Sequence, residues 1–160
     1  MIITGCQRSG TMTCAKIFNI PHEVIFIPTV TKRKFKDINE CSWMIAPFLD
    51  EIDKCGGFRV IRHPCNVVES MIGIDFWERK GHEQYRNFLY RHLPVLRGII
   101  EPILRSFHYW LEWNKMCDGL PTIRIEDIFN APKLNKRKRA GLKLDIPDEV
   151  KEYARKFQYA

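Results

Sequence analysis

Several features are missing from this 160-residue chain, and each absence excludes a class of protein. No apolar run approaches the ~20 residues that a membrane-spanning helix needs. No charged stretch precedes an apolar segment at the N-terminus, so we expect no secretory signal. The six cysteines include no C-x-x-C pair, which argues against zinc or dithiol redox chemistry. Repeats and long linkers are also lacking. We therefore expect one domain over residues 1–160, cytoplasmic and with reduced thiols.

The composition indicates a packed globule that attracts anions. Hydrophobic residues make up 45% of the chain, and the net charge is +7. A basic protein attracts polyanions, although basic clusters are also common on ordinary solvated surfaces. We therefore do not expect nucleic acid as the partner. The positive charge is concentrated in two clusters, Lys32–Lys36 and the group of Lys133, Lys136, Arg137, Lys138, Arg139 and Lys143.

The pattern of apolar residues predicts strands that alternate with helices. We predict strands at residues 1–5, 22–27, 58–62 and 121–125. We predict helices at residues 9–19, 38–54, 64–73, 82–92, 95–117 and about 147–158. This alternation predicts an α/β fold, a three-layer sandwich with a central parallel sheet of about four strands flanked by helices. Ligands of such sheets bind at the carboxyl ends of the strands.

The first strand leads directly into a loop suited to an anion. Gly5 and Gly10 have the spacing of the glycines in a Walker A motif, and Arg8 lies between them. The lysine of that motif is absent, because Thr11 and Met12 follow Gly10. Glycines let the backbone approach an anion, and the N–H groups at the start of the next helix would point towards it. The loop therefore predicts a phosphate site without the lysine that a P-loop kinase needs.

A second segment has a similar design. The apolar strand 58–62 ends in Arg62, which is followed by His63 and Pro64. Proline suits the first turn of the predicted helix 64–73. Arg62 can donate two parallel N–H bonds to a phosphate, and Ser70 could add a hydroxyl.

Together these segments resemble the sulfotransferase superfamily, in a compact form typical of bacterial and phage members. Family members transfer a sulfonate group from 3′-phosphoadenosine 5′-phosphosulfate (PAPS) and leave 3′-phosphoadenosine 5′-phosphate (PAP). Four positions of their first loop, [KR]-S-G-T-[TS], match Arg8 to Thr11, and their R-[DNH]-P…S motif matches Arg62 to Ser70. The aromatic helix 107–114 and the segment 123–128, similar to R-x-E-D-[LI], extend the likeness to about residue 130.

The resemblance implies a P-loop-like fold and a role for each motif. The first loop would bind the 5′-phosphosulfate through the N–H groups of Ser9 to Met12, with hydroxyls from the same segment assisting. Arg8 would stabilise the leaving phosphate, and Arg62 and Ser70 would bind the 3′-phosphate. The implied donor-binding residues are Arg8, Ser9, Gly10, Thr11, Met12, Thr13, Arg62 and Ser70. We expect no metal.

The chain departs from the family pattern at two places. Met12 replaces the usual second threonine of the first loop, and Thr13 could supply the missing hydroxyl. The late R-K-G-x-x-G loop of larger members is not visible. Arg137, Lys138, Arg139 and Gly141 match it poorly, so the sequence does not say how adenine is held.

The acceptor needs a general base near the first loop, and Pro21-His22-Glu23 occupies the position where compact members often have Gly-His-Glu. Adjacent residues of a strand point to opposite faces, so we expect only one of the pair to face the substrate. We favour Glu23 over His22, and both could also be surface residues.

Other interpretations stay open at this point. The chain could be a P-loop kinase for small molecules or nucleotides, or a relative that binds nucleotide or nucleic acid without catalysis. The acceptor could be a small molecule or a polysaccharide, and the oligomeric state is not readable. Trp43, Phe48, Phe76 and Trp77 could wall the acceptor pocket or belong to the core, which we favour. Glu126 and Asp127 could anchor an arginine or begin a helix.

Overall fold

The computed structural model describes residues 1–31, 35, 37–52, 56–128, 142 and 144–159. A four-stranded sheet, parallel throughout, forms the centre, with strands in the order β2-β1-β3-β4. The strands are β1 (Ile2–Thr4), β2 (Glu40–Cys41), β3 (Phe58–Ile61) and β4 (Thr122–Arg124). The predicted α/β class and the four-stranded parallel sheet flanked by helices are therefore confirmed. Both basic clusters and the weak match at Arg137–Gly141 lie outside the described residues, apart from Phe35.

Helices fill the connections between the strands. The α-helices are α1 (Thr11–Phe18), α2 (Pro64–Gly73), α3 (Glu83–His92), α4 (Pro102–Met116), α5 (Ile125–Ile128) and α6 (Asp148–Arg155). Two 3₁₀ helices cover Trp43–Glu51 and Pro94–Gly98. Across the described part of the chain, no helix is both long and apolar enough to cross a membrane.

The prediction of a second strand at residues 22–27 was wrong. The strand in that position of the sheet is Glu40–Cys41, and residue 22 makes an isolated bridge to Cys41. Glu23 has a left-handed φ of 54°, which an extended strand does not allow. The next three backbone N–H groups donate to the side chain of Glu40 instead of to a neighbouring strand. The buried carboxylate of Glu40, 14 to 16 residues later in the chain, thus replaces the sheet ladder that the β-branched composition suggests.

Two segments that were each predicted as one helix contain two separate elements in the structure. Residues 38–54 contain β2 and then a 3₁₀ helix that includes Pro47, whose missing N–H is poorly tolerated inside an α-helix. The predicted helix 95–117 is divided into a 3₁₀ turn and α4. Pro102 begins α4, and the Glu101 carboxylate accepts from the N–H of Ile103 at 2.9 Å.

The aromatic residues of α4 lie in the core, as their three- and four-residue spacing predicts. Trp110 and Trp113 are fully buried, and the indole N–H of Trp113 donates to the Trp43 carbonyl at 2.9 Å. The four aromatic residues considered for the acceptor pocket are all buried, which confirms the core interpretation; they are Trp43, Phe48, Phe76 and Trp77.

The strand order determines where a ligand would bind. From β1 the chain goes to β2 on one side, and it then crosses to β3 on the other side of β1. The direction of winding therefore reverses between β1 and β3. In sheets of this kind the crevice outside the carboxyl ends of those two strands is the usual binding place. Both sequence motifs follow these two strands.

Candidate functional site

The loop between β1 and α1 passes very close to β3. A Cβ atom added at Gly5 would lie 2.1 Å from the carbonyl oxygen of Val60, so only glycine fits there. At Gly10 the φ angle is 110°, and an added Cβ would lie 2.6 Å from Cδ1 of Ile125. Arg8 is also left-handed, with φ of 68°. The loop therefore has a tightly bent backbone that rests on its neighbours.

Internal hydrogen bonds hold this loop, and they change the role predicted for Ser9. The hydroxyl and the N–H of Ser9 both donate to the Cys6 carbonyl, at 2.6 and 3.1 Å, and Ser9 is fully buried. Ser9 therefore shapes the loop, and its hydroxyl is turned inward to the Cys6 carbonyl. The N–H of Gln7 donates to the hydroxyl of Tyr109 at 2.6 Å, which ties the loop to α4.

The start of α1 remains the part of the loop best suited to an anion. Gly10 is the N-cap residue and has no side chain with which to cap the helix. Helix geometry gives the N–H groups of Thr11 and Met12 no carbonyl partner within the helix. The N–H of Thr13 donates to the Gly10 carbonyl at 3.0 Å. Because the Ser9 N–H donates to the Cys6 carbonyl, the predicted cradle of amides is reduced to residues 10–12, reinforced by the helix dipole.

Arg8, Arg62 and Ser70 come together although they are far apart in sequence. Nε of Arg8 donates to Oγ of Ser70 at 2.8 Å, and Nη1 of Arg62 donates to the carbonyl of Arg8 at 3.2 Å. The first contact joins the loop after β1 to α2, and the second joins it to the end of β3. The two motifs therefore form one basic surface at the carboxyl edge of the sheet.

The backbone around Arg62 is held by the surrounding elements. The indole N–H of Trp110 donates to the Arg62 carbonyl at 3.0 Å, and Nδ1 of His63 accepts from the N–H of Cys65 at the start of α2. The Glu126 carboxylate accepts from the His63 N–H at 3.2 Å and from the hydroxyl of Tyr159 at 2.6 Å. Glu126 thus supports the second motif through His63 and Tyr159.

His22 and Glu23 lie together beside the start of α1. Nε2 of His22 is 3.5 Å from Oε1 of Glu23 and 3.3 Å from Oγ1 of Thr11. Our expectation that only one of the pair faces the substrate assumed a strand, and the backbone at this position is not extended as a strand. The left-handed backbone at Glu23 breaks the alternation and places both side chains on the same side, each about a fifth exposed.

Burial gives Glu23 the properties of a base near neutral pH. Burial, together with the negative charge of Glu40, raises the pKa of Glu23 to about 7. Burial lowers the pKa of His22, so its imidazole is neutral at pH 7. A carboxylate with this pKa and a neutral imidazole are both competent to accept a proton.

Glu40 is the residue that sequence reasoning missed. It is fully buried on β2, and its two oxygens accept from the N–H groups of Val24, Ile25 and Phe26 at 2.8, 2.8 and 3.1 Å. Burial raises its pKa, and these three bonds oppose that shift. No local signal marks Glu40, because its hydrogen-bond partners are 14 to 16 residues away. Its own segment was predicted as part of a helix.

Cys6 does not take part in the chemistry of the loop. It is fully buried, and burial raises the pKa of its thiol to about 12. A reactive thiol needs a lowered pKa and access to solvent, and Cys6 has neither, so it is a small buried residue of the loop. Comparisons with protein-family models, curated proteins and solved structures found no match to the chain.

Proposed function

We propose that this protein is a PAPS-dependent sulfotransferase that transfers a sulfonate group to a hydroxyl or amine acceptor. The observation that carries the proposal is the convergence of the two motifs. Arg8 contacts Ser70, and Arg62 contacts the backbone of Arg8, at the edge of the sheet where ligands of parallel folds bind. Two anionic groups of one nucleotide could therefore be bound by neighbouring residues.

The residues proposed to bind PAPS are suited to its negatively charged groups. The N–H groups at the start of α1 and the guanidinium of Arg8 would stabilise the negative charge on the departing 5′-phosphate. Arg62 and Ser70 would bind the 3′-phosphate, a group that ATP lacks. PAPS, when bound, would supply the sulfonate group, whose bond to the 5′-phosphate breaks as the bond to the acceptor forms.

The acceptor must lose a proton as it attacks the sulfur. Glu23 is the proposed base, since its pKa of about 7 matches the operating range of a general base. The proton would move from the acceptor hydroxyl or amine to the carboxylate of Glu23. His22 is the alternative base, and its contact with Glu23 would also let it relay the proton.

Calorimetry with PAP, ADP and AMP tests the donor assignment. We expect PAP to bind at least tenfold more tightly than ADP or AMP, because only PAP carries the 3′-phosphate. Arg62→Ala should remove this preference. The matched control is Arg97→Ala, which changes an exposed arginine on the 3₁₀ turn before α4. Equal binding of the three nucleotides would contradict the proposal.

Turnover of PAPS tests the catalytic assignment. Glu23→Gln should lower kcat by about 10²- to 10⁴-fold with little change in PAP affinity, as expected for loss of a general base. Arg8→Ala should weaken PAP binding as well as turnover. If Glu23→Gln turns over PAPS at the original rate, Glu23 is not the base, and His22→Ala becomes the decisive variant.

A further inference from the structure

The segment directly after Glu23 presents apolar side chains to solvent. Val24 is 68% exposed, and Ile25 and Ile27 are 41% and 42% exposed, whereas Phe26 is completely buried. Exposed single apolar residues are common on protein surfaces. Three within four positions, next to a candidate base, form a local apolar surface that we call the 24–27 surface.

The backbone of this surface is held in place by a buried carboxylate. The N–H groups of Val24, Ile25 and Phe26 all point inward to Glu40, at distances of 2.8 to 3.1 Å. Phe26 adds an anchor, since its ring packs against Phe35 and Phe48 with centroid distances of 4.8 and 5.7 Å. The exposed side chains are therefore presented by a braced backbone, which lowers the entropic cost of binding a ligand.

The 24–27 surface adjoins, along the chain, the site described above. Glu23 precedes it directly, and His22 contacts Thr11 at the start of α1. Met12, which follows Thr11 in the chain, is 58% exposed, at the position where the resemblance predicts a threonine. An exposed apolar residue thus lies two positions from His22 and one position from Thr11 along the chain.

The charge of the segment limits the kind of ligand it can take. The run from Val24 to Thr31 has no charged side chain, and the basic cluster Lys32–Lys36 begins directly after it. A sulfated or carboxylated polysaccharide would need cations along its path. An uncharged apolar surface instead favours a ligand that buries hydrocarbon.

We propose that the acceptor is an alcohol or amine with an alkyl or aryl body that lies on the 24–27 surface, its reactive group at Glu23. This inference rests on the proposed function and names the substrate class for the same site. Each methylene that the surface covers should then strengthen acceptor binding by up to about fourfold.

A homologous series of primary alcohols from butanol to decanol tests the inference in two ways. In ¹³C-methyl NMR of the full chain, the alcohols should shift the methyl signals of Val24, Ile25 and Ile27 saturably, and affinity should rise with chain length. With PAPS present, kcat/KM should rise along the series. Methyl signals that do not respond, or a flat series, would overturn the inference.

A double variant, Val24→Ser with Ile25→Ser, provides the matched test. It keeps the backbone N–H groups that donate to Glu40, and it should abolish the dependence on chain length while PAP still binds. The control is Ile100→Ser, which changes an 87% exposed isoleucine in the segment between the 3₁₀ helix and α4 and should leave the series unchanged.

The remaining outcomes separate the two proposals. If PAP binds and a polysaccharide is sulfonated while the alcohols fail, the enzyme proposal stands and the apolar acceptor is wrong. If PAP does not bind, the proposed function fails, and the acceptor inference fails with it. A dimer in sedimentation that the double variant abolishes would assign the 24–27 surface to a second copy of the chain and also overturn the inference.

Discussion

Arg8 and Ser70 are 62 residues apart in sequence, and Nε of Arg8 donates to Oγ of Ser70 at 2.8 Å. This contact joins the loop after β1 to the second turn of α2. It differs from the arrangement that the motifs suggest, in which Ser70 is grouped with Arg62. One hydroxyl is therefore positioned to orient the arginine of the first motif, and in the proposed enzyme it would also contact a phosphate of the donor.

Ser70→Ala should weaken PAP binding about tenfold, because one hydrogen bond to a charged group is lost and Arg8 is no longer oriented. The free energy of unfolding should change little, because Ser70 is partly exposed. Calorimetry and urea unfolding measure the two effects. Gln84→Ala, an exposed change on α3, is the control, and a Ser70→Ala variant with unchanged PAP affinity would remove Ser70 from the donor site.

Gly10→Ala should lower the free energy of unfolding by about 2 kcal/mol or more. The left-handed φ of 110° is unfavourable for alanine, and the new Cβ would collide with Ile125. Gly98→Ala is the matched control, because its backbone is not left-handed and nothing lies within 4 Å of an added Cβ. Urea unfolding compares the two variants. Equal stability would mean that the loop can relax away from Ile125.

Glu40→Gln should lower the pKa of Glu23. The negative charge of Glu40 contributes to the raised value of about 7, and glutamine removes that charge. Burial, the larger cause, stays, so the pKa should fall only part of the way towards its ordinary value. Side-chain ¹³C NMR titration of the glutamates measures it directly. Glu112→Gln, on the exposed part of α4, should not alter the titration of Glu23.

If turnover requires ionised Glu23, the same substitution should shift the rising limb of the pH–rate profile to lower pH. The limb of the unmodified protein should have its midpoint near pH 7. A profile that does not move, despite a shifted titration in the NMR spectrum, would show that another group is the base.

Glu23→Gln should stabilise the protein more at pH 8 than at pH 5. The folded-state pKa of Glu23 lies above its ordinary value of 4.5, so ionisation is less favourable in the folded than in the unfolded chain. The stability of the unmodified protein therefore falls as the pH rises from about 4.5 to about 7, and glutamine removes this loss. Urea unfolding at both pH values measures the difference. A difference independent of pH would contradict the raised pKa.

Local patterns were sufficient for much of the fold. The helix predicted at residues 64–73 has those bounds in the structure, because Pro64 marks its start and apolar residues at helical spacing form its buried face. The two strands that precede the motifs, β1 and β3, were predicted to within one residue at each end. These features depend on neighbouring residues, which the sequence shows directly.

The second strand and the arrangement around Glu23 could not be read in the same way. Val24 to Ile27 have the composition of a strand, yet their N–H groups bind the carboxylate of a residue about 15 positions later. Once that carboxylate is buried beside them, its unsatisfied oxygens would be costly, and the backbone turns to meet them. Composition near residue 25 contains no information about this partner.

The sequence by itself determined the alternation of strands and helices, the two glycines of the first loop and the residue types that could bind anions. The tertiary structure alone decided that Arg8 contacts Ser70 and that Ser9 faces inward. It also decided that the side chains of His22 and Glu23 lie together, where the charge of Glu40 helps to raise the pKa of Glu23. The reason is physical: periodicity and turn preferences act between neighbours in the chain, whereas burial, charge proximity and long-range hydrogen bonds exist only after the chain has packed.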